Sequence, residues 1–151
     1  MADFDDIDRR LLASLQENDR LAIAELGKSL GVATSTLNDR LRRLMRQGVI
    51  SGFHARLSPE ALDLNLLAFV YVGWSEPKTE PVFLEAIAGM PAVLECHHVT
   101  GEWNHLMKVR VRRTQDLEAF LASLKAIDGV QRTQTVIVLS TSKETMTLVP
   151  E

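Results

Sequence analysis

The sequence predicts an α+β chain in two parts: an N-terminal helix-turn-helix domain, then a C-terminal ferredoxin-like βαββαβ sandwich. Three observations lead there. Apolar residues recur at helical spacing up to Leu44, the period switches repeatedly between alternating and helical from Leu66 onward, and glycines stand where elements should end. The expected boundaries are residues 1–49 for the helix-turn-helix, 50–65 for a strand and linker, and 66–151 for the sandwich.

The first helix is expected from Asp5 to about Glu17, capped by Asp5 or Asp6, with Ile7, Leu11 and Leu15 on its buried face. Ile23, Leu26 and Leu30 recur at i, i+3 and i+7 and line a second helix, which Gly31 closes in the left-handed conformation. Gly27 lacks a side chain and so permits the close approach that a helix-turn-helix corner needs. Thr34 offers a capping hydroxyl to a third helix, whose buried stripe is Leu37, Leu41 and Leu44. Gly48 ends it, and a strand is expected through Phe53, Ala55 and Leu57 before Pro59 breaks the ladder.

That stripe leaves Ser35, Thr36, Asn38, Asp39, Arg42, Arg43 and Arg46 on or beside the open face of the third helix. Between Thr34 and Arg56 the chain carries five arginines and one acid, although the whole chain has a net charge of −3. A mildly acidic protein can still present a basic reading head, because phosphates respond to the local field. The expected division of labour puts Ser35, Thr36, Asn38 and Asp39 against base edges in the major groove. Thr34 caps the helix and touches phosphate, while Arg40, Arg42, Arg43 and Arg46 mainly contact phosphates, with an arginine reading guanine as the alternative. A dimer would set two such helices ~34 Å apart on roughly palindromic double-stranded DNA.

From Leu66 the order is strand, helix, strand, strand, helix, strand. Leu66 to Trp74 is β-branched and aromatic, and Glu80 to Met90 is helical with Phe83, Leu84 and Ile87 inward. Ala92 to Thr100 and Asn104 to Arg112 form a hairpin about Gly101. Asp116 to Ile127 is an amphipathic helix through Leu117, Phe120, Leu121 and Leu124, and Thr133 to Ser140 is the last strand. Both helices then cover one face of an antiparallel sheet. Leu67, Phe69 and Tyr71 are opposite in phase to Ala68, Val70 and Val72, so the uncovered face is apolar too and predicts a homodimer.

Composition narrows the function classes. With 46% hydrophobic residues and 5% aromatics over 151 residues, two small domains are expected, each leaning on a neighbour or on another subunit. The acidic opening MADFDDIDRR does not read as a signal peptide, and no apolar run approaches ~18 residues, so a cytoplasmic protein with no membrane partner is expected. Cys96 is the single cysteine, which forbids an internal disulfide. Cys96, His97, His98 and His105 could suggest a metal or tetrapyrrole site. His97 and His98 are adjacent on a strand and point to opposite faces, which spoils a shared ligand set. There is no Gly-rich phosphate loop or nucleophile elbow, so no catalytic residue, metal or cofactor is expected.

Several motifs in order resemble the Lrp/AsnC family of feast-or-famine regulators: Phe4-Asp5-Asp6-Ile7-Asp8, the helix-turn-helix, Gly48 to Phe53, Val99 to Met107, and Val130 to Leu139 leading to Ser142-Lys143-Glu144. The resemblance covers nearly the whole chain. It implies a transcription regulator that dimerises through its C-terminal half, often assembles into octamers, and in many members binds an amino acid between dimers. The implied effector site is Gly101, Glu102, Trp103, Asn104 and His105 with Thr133, Gln134 and Thr135, where a bound molecule would shift how dimers associate. The family commonly carries an acid where this chain has Asn104 and a tyrosine where it has His105. An α-ammonium group is best held by a carboxylate, and Glu102 is the acid at hand. Trp103 reads either as a cover over an effector or as a residue buried against a neighbouring dimer. Two other readings compete: a relative of the tetrapyrrole decarboxylases that share this architecture, and a ligand-binding oligomerisation module that does not read DNA.

Overall fold

The computed structural model describes residues 4–18 and 20–150, and the chain divides into two compact units. The helical unit runs to Arg56 and includes the closing residues from Lys143. Its helices are α1 (Asp6–Glu17), α2 (Ile23–Leu30) and α3 (Thr34–Arg46). Asp5 caps α1 and forms a reciprocal box with Asp8: the Asp8 N–H donates to Asp5 Oδ1 at 2.9 Å, and the Asp5 N–H to Asp8 Oδ2 at 3.4 Å. Leu11, Leu26, Leu37 and Leu44 are buried where the three helices meet. Each such leucine contributes about 1.5–3 kcal/mol relative to leaving it in water.

Gly31 adopts φ 70° at the end of α2, the left-handed stop its position predicts. Gly27 is tighter than a helix corner alone demands. A Cβ there would lie 2.8 Å from the Val32 carbonyl oxygen, so what it admits is the turn that folds back over α2. Two expectations need correction. Thr34 is the first residue of α3, not its cap; Ala33 holds that place and no side chain caps the helix. The strand expected through Phe53, Ala55 and Leu57 does not form. Those residues are exposed without a ladder partner among the described residues, and a strand has no hydrogen bonds until a second strand supplies them.

The second unit, Leu57–Ser142, contains β1 (Leu66–Gly73), α4 (Thr79–Ala88), β2 (Val93–His98), β3 (His105–Val111), α5 (Thr114–Lys125) and β4 (Arg132–Ile137). The sheet order is β2-β3-β1-β4, antiparallel throughout. This is the βαββαβ sandwich the sequence predicts. Ala68, Val70, Val72, Met107 and Val109 point to the helices and pack on Phe83, Ile87, Leu117, Phe120 and Leu124. The opposite face carries Phe69 and Tyr71, both half-buried, beside Leu106 and the exposed Val136. Leu84 corrects another expectation: it is 43% exposed, because it sits 100° round the helix from Phe83 and outside the Phe83–Ile87 line. The last strand stops at Ile137 instead of reaching Ser140, and the residues from Lys143 group with the helical unit although they were expected with the sandwich. The Gln16 amide takes both backbone groups of Leu148, at 2.8 and 2.7 Å, as a neighbouring strand would. No helix among the described residues is long and apolar enough to cross a membrane.

Candidate DNA-recognition helix and effector loop

Helix α3 has two unlike sides. Leu37 and Leu44 are fully buried, whereas Thr34, Ser35, Thr36, Asp39, Arg42 and Arg46 are exposed and Asn38 is half-exposed. Arg42 is 76% exposed and only 3.9 Å from Asp39, an exposed pair of little energetic weight. Among the described residues Arg46 makes no ion pair, so two cations and a row of short polar side chains share the outer face.

Arg40 and Arg43 are placed differently. Arg40 Nη1 lies 2.6 Å from Asp5 Oδ2 and 3.0 Å from Asp8 Oδ1, and Arg43 Nη2 lies 2.5 Å from Asp8 Oδ2. Both guanidinium groups therefore face α1. The Asp8 N–H first and Arg40 second hold the Asp5 carboxyl below its usual range; Asp5, then Asp8, raise the pKa of Arg40. Asp8 has only 1% of its side chain exposed, and the reading of α1 as a leucine stripe missed it. The signal was present: an acid at Asp5 and another three residues on is the spacing of a capping box.

The loop at Gly101, φ 106°, joins β2 to β3. Glu102 accepts from Arg132 Nη1 at 2.8 Å, and its carbonyl accepts from Arg132 Nη2. The Arg132 guanidinium stacks 4.4 Å above the Trp103 ring, which in turn lies 5.8 Å from Tyr71. Gly73 lies beneath this stack, where a Cβ would come within 2.8 Å of Arg132 Nε. Arg132 and Tyr71 are thus central to the loop although sequence reading assigned neither to it; they lie 30 or more residues away in the chain, and only strand pairing brings them there.

The other candidates separate from this cluster. Asn104 turns inward, its Oδ1 accepting the Trp74 N–H at 2.8 Å, so it closes the sheet end. An acceptor suffices for that contact, which an amide provides without the negative charge of an acid. Thr133 and Thr135 pair with Val72 and Val70 and share their helix-facing side; Gln134 pairs with Tyr71 on the open side. His105 is 2% exposed and packed among Trp74, Phe83 and His98, with ring centroids 5.0–5.2 Å away. Its Nε2 is 3.5 Å from Glu80 Oε1. Burial lowers its pKa; Glu80 opposes that shift and His98 adds to it. His97 lies on the open face, 3.3 Å from Glu95, so the two adjacent histidines do point apart. Burial raises the thiol pKa of Cys96, and among the described residues no three His, Cys, Asp or Glu side chains gather as a metal site.

Residues 4–51 match a winged helix-turn-helix DNA-binding family, and residues 67–148 match the Lrp/AsnC ligand binding domain. The chain belongs to the Lrp/AsnC family. It is 36% identical over 144 residues to the HTH-type transcriptional regulator FL11 of Pyrococcus horikoshii, covering 95% of each chain. It is 35% identical over 150 residues to the leucine-responsive regulatory protein of Escherichia coli K12, covering 97% of this chain and 92% of the relative. The structure of transcriptional regulator NMB0573 from Neisseria meningitidis, a complex with L-Met, superposes with a TM-score of 0.92 at 31% identity, covering 97% and 96% of the two chains. The protein is a transcriptional regulator with a helix-turn-helix DNA-binding domain and an Lrp/AsnC ligand-binding domain, which favours this reading over a decarboxylase or a module that does not read DNA.

Proposed function

We propose that this Lrp/AsnC regulator reads double-stranded DNA through the outer face of α3, acts as a homodimer with octamers as its larger assembly, and responds to an amino acid. The observation that carries the DNA reading is the two-sided α3, with leucines inward and Ser35, Thr36, Asn38, Asp39, Arg42 and Arg46 outward. Ser35, Thr36, Asn38 and Asp39 meet base edges, Arg42 and Arg46 meet phosphates, and Thr34 at the helix N-terminus also meets a phosphate. Arg40 and Arg43 are assigned to the framework, because Asp5 and Asp8 occupy their charged ends.

The effector class rests on the relative bound to L-Met. In this chain Glu102 is the acid available to an α-ammonium group, and it would exchange Arg132 for the ligand. Gly101 and Trp103 complete the loop, with Gln134 on the adjoining strand; Asn104, His105, Thr133 and Thr135 support it from within. No catalytic role is assigned, since the matched relatives are regulators.

The test is a titration of wild type and Arg42→Ala onto DNA from upstream of the protein's own gene, across a salt series, with and without L-Met. Wild type should bind with a steep salt dependence. Arg42→Ala should bind more weakly, with a slope shallower by about 0.9 for each phosphate that Arg42 neutralises, and L-Met should shift the wild-type curve. Equal slopes would remove Arg42 from the phosphate set. Curves unmoved by L-Met or the other common amino acids would remove the effector class.

A further inference from the structure

We propose that Asp8, on α1 and not on the DNA-facing helix, is a specificity-determining residue that withholds Arg40 and Arg43 from phosphates and so suppresses sequence-independent binding. The inference rests on the reading of α3 as the DNA-recognition helix. Four arginines stand on α3, but the two that face α1 meet the carboxylates of Asp5 and Asp8, leaving Arg42 and Arg46 as its outward cations. Positive charge placed on α3 without these partners would strengthen binding to every DNA sequence equally, since phosphates carry no sequence information.

The geometry shows restraint by a partner instead of simple burial. The Arg40 and Arg43 side chains remain 21% and 39% exposed, so both guanidinium groups have a path to solvent. Each uses terminal N–H groups on the acids, while its Nε is buried and has no hydrogen-bond partner among the described residues. A phosphate that took the Nε–H and one Nη–H together would satisfy the fork more fully than Asp8 does. On the helix, Thr36, Arg40 and Arg43 follow i, i+4, i+7 and form the row bordering Ser35, Asp39, Arg42 and Arg46. Release from Asp8 lets the long arginine stems swing from one row toward the next. Asp8 is suited to the restraint because its carboxylate is fixed on both sides, by the Asp5 N–H of the capping box and by two guanidinium groups.

The experiment compares wild type, Asp8→Asn, Arg43→Gln and the Asp8→Asn/Arg43→Gln pair on a specific site and on unrelated duplex, with the salt slope and the specific-to-nonspecific affinity ratio as readouts. Asn keeps the shape and one acceptor for the Asp5 N–H but removes the charge. Asp8→Asn should bind unrelated duplex more tightly, by roughly up to tenfold at 0.1 M salt for each further phosphate neutralised, with a slope steeper by about 0.9 per phosphate and a lower specificity ratio. Arg43→Gln should leave the wild-type slope unchanged yet reverse part of the tighter binding in the Asp8→Asn background. A folded Asp8→Asn protein with wild-type slope and ratio would overturn the proposal and leave the recognition-helix reading intact. Wild type without DNA binding would overturn both. Should Asp8→Asn lose its fold, Arg43→Gln decides alone: an unchanged slope supports the restraint and a shallower one overturns it. Asp5→Asn, which removes the charge of only the outer partner of Arg40 and leaves Asp8 in place, should move in the Asp8→Asn direction by less.

Discussion

His105 is a residue whose environment determines when it can be charged. Its ring fills an aromatic cage with Trp74, Phe83 and His98, its Nε2 faces Glu80, and its Nδ1 is buried without a partner among the described residues. A neutral ring protonated on Nε2 leaves only a lone pair in that cage, whereas the charged ring would add an unpaired N–H. Its pKa is accordingly lowered in the folded protein from the ordinary 6.5, so the unfolded chain binds more protons over that interval. The stability His105 contributes is present above about pH 6.5 and is lost as pH falls through the lower folded value. Thermal melts from pH 8 to pH 5 should show this loss in wild type, and His105→Phe should flatten it while keeping the cage filled. Identical pH profiles for the two proteins would exclude His105 as the source.

Among the elements, the α2–α3 corner is the one whose geometry tolerates least change. The Val32 N–H donates to the Gly27 carbonyl at 2.9 Å, and the Val32 carbonyl lies where a Cβ on Gly27 would need room. Alanine in place of glycine raises helix propensity by about 1 kcal/mol. Overpacking against a backbone oxygen costs about 1–3 kcal/mol and should outweigh it. Gly27→Ala is therefore expected to melt below wild type and, by displacing α3, to bind DNA less well; a higher melting temperature would show that the turn gives way freely. The same corner explains why Thr34 does not cap α3. The chain enters the helix one residue earlier, at Ala33, and Thr34 is left at the open end of the helix beside Ser35 and Thr36.

For the whole molecule, the open sheet face is the surface that calls for a partner. Phe69, Tyr71, Leu106 and Val136 lie there with Lys108 and Glu95, a mixture of apolar surface and paired charge suited to a second copy. Light scattering at micromolar concentration should give at least a dimer, and Phe69→Glu should shift it toward monomer with the fold retained; a monomeric wild type would refute dimerisation through this face. How far the sequence reached differs between fold and site. The leucine stripes, the stop at Gly31, the βαββαβ order and the outward row on α3 were legible because helix and strand periods, and the freedom of glycine, are local properties of the chain. The partners of Arg40 and Arg43, the stacking of Arg132 on Trp103, and the inward turn of Asn104 and His105 were not, because each joins residues about 20 to 35 positions apart. By itself, then, the sequence determined the five helices and four sandwich strands found among the described residues and which arginines exist to meet DNA, but not that residues 53–57 would stay without a ladder. Only the tertiary structure decided which of those charges are already neutralised, since a carboxylate on another helix is invisible to any periodicity along α3.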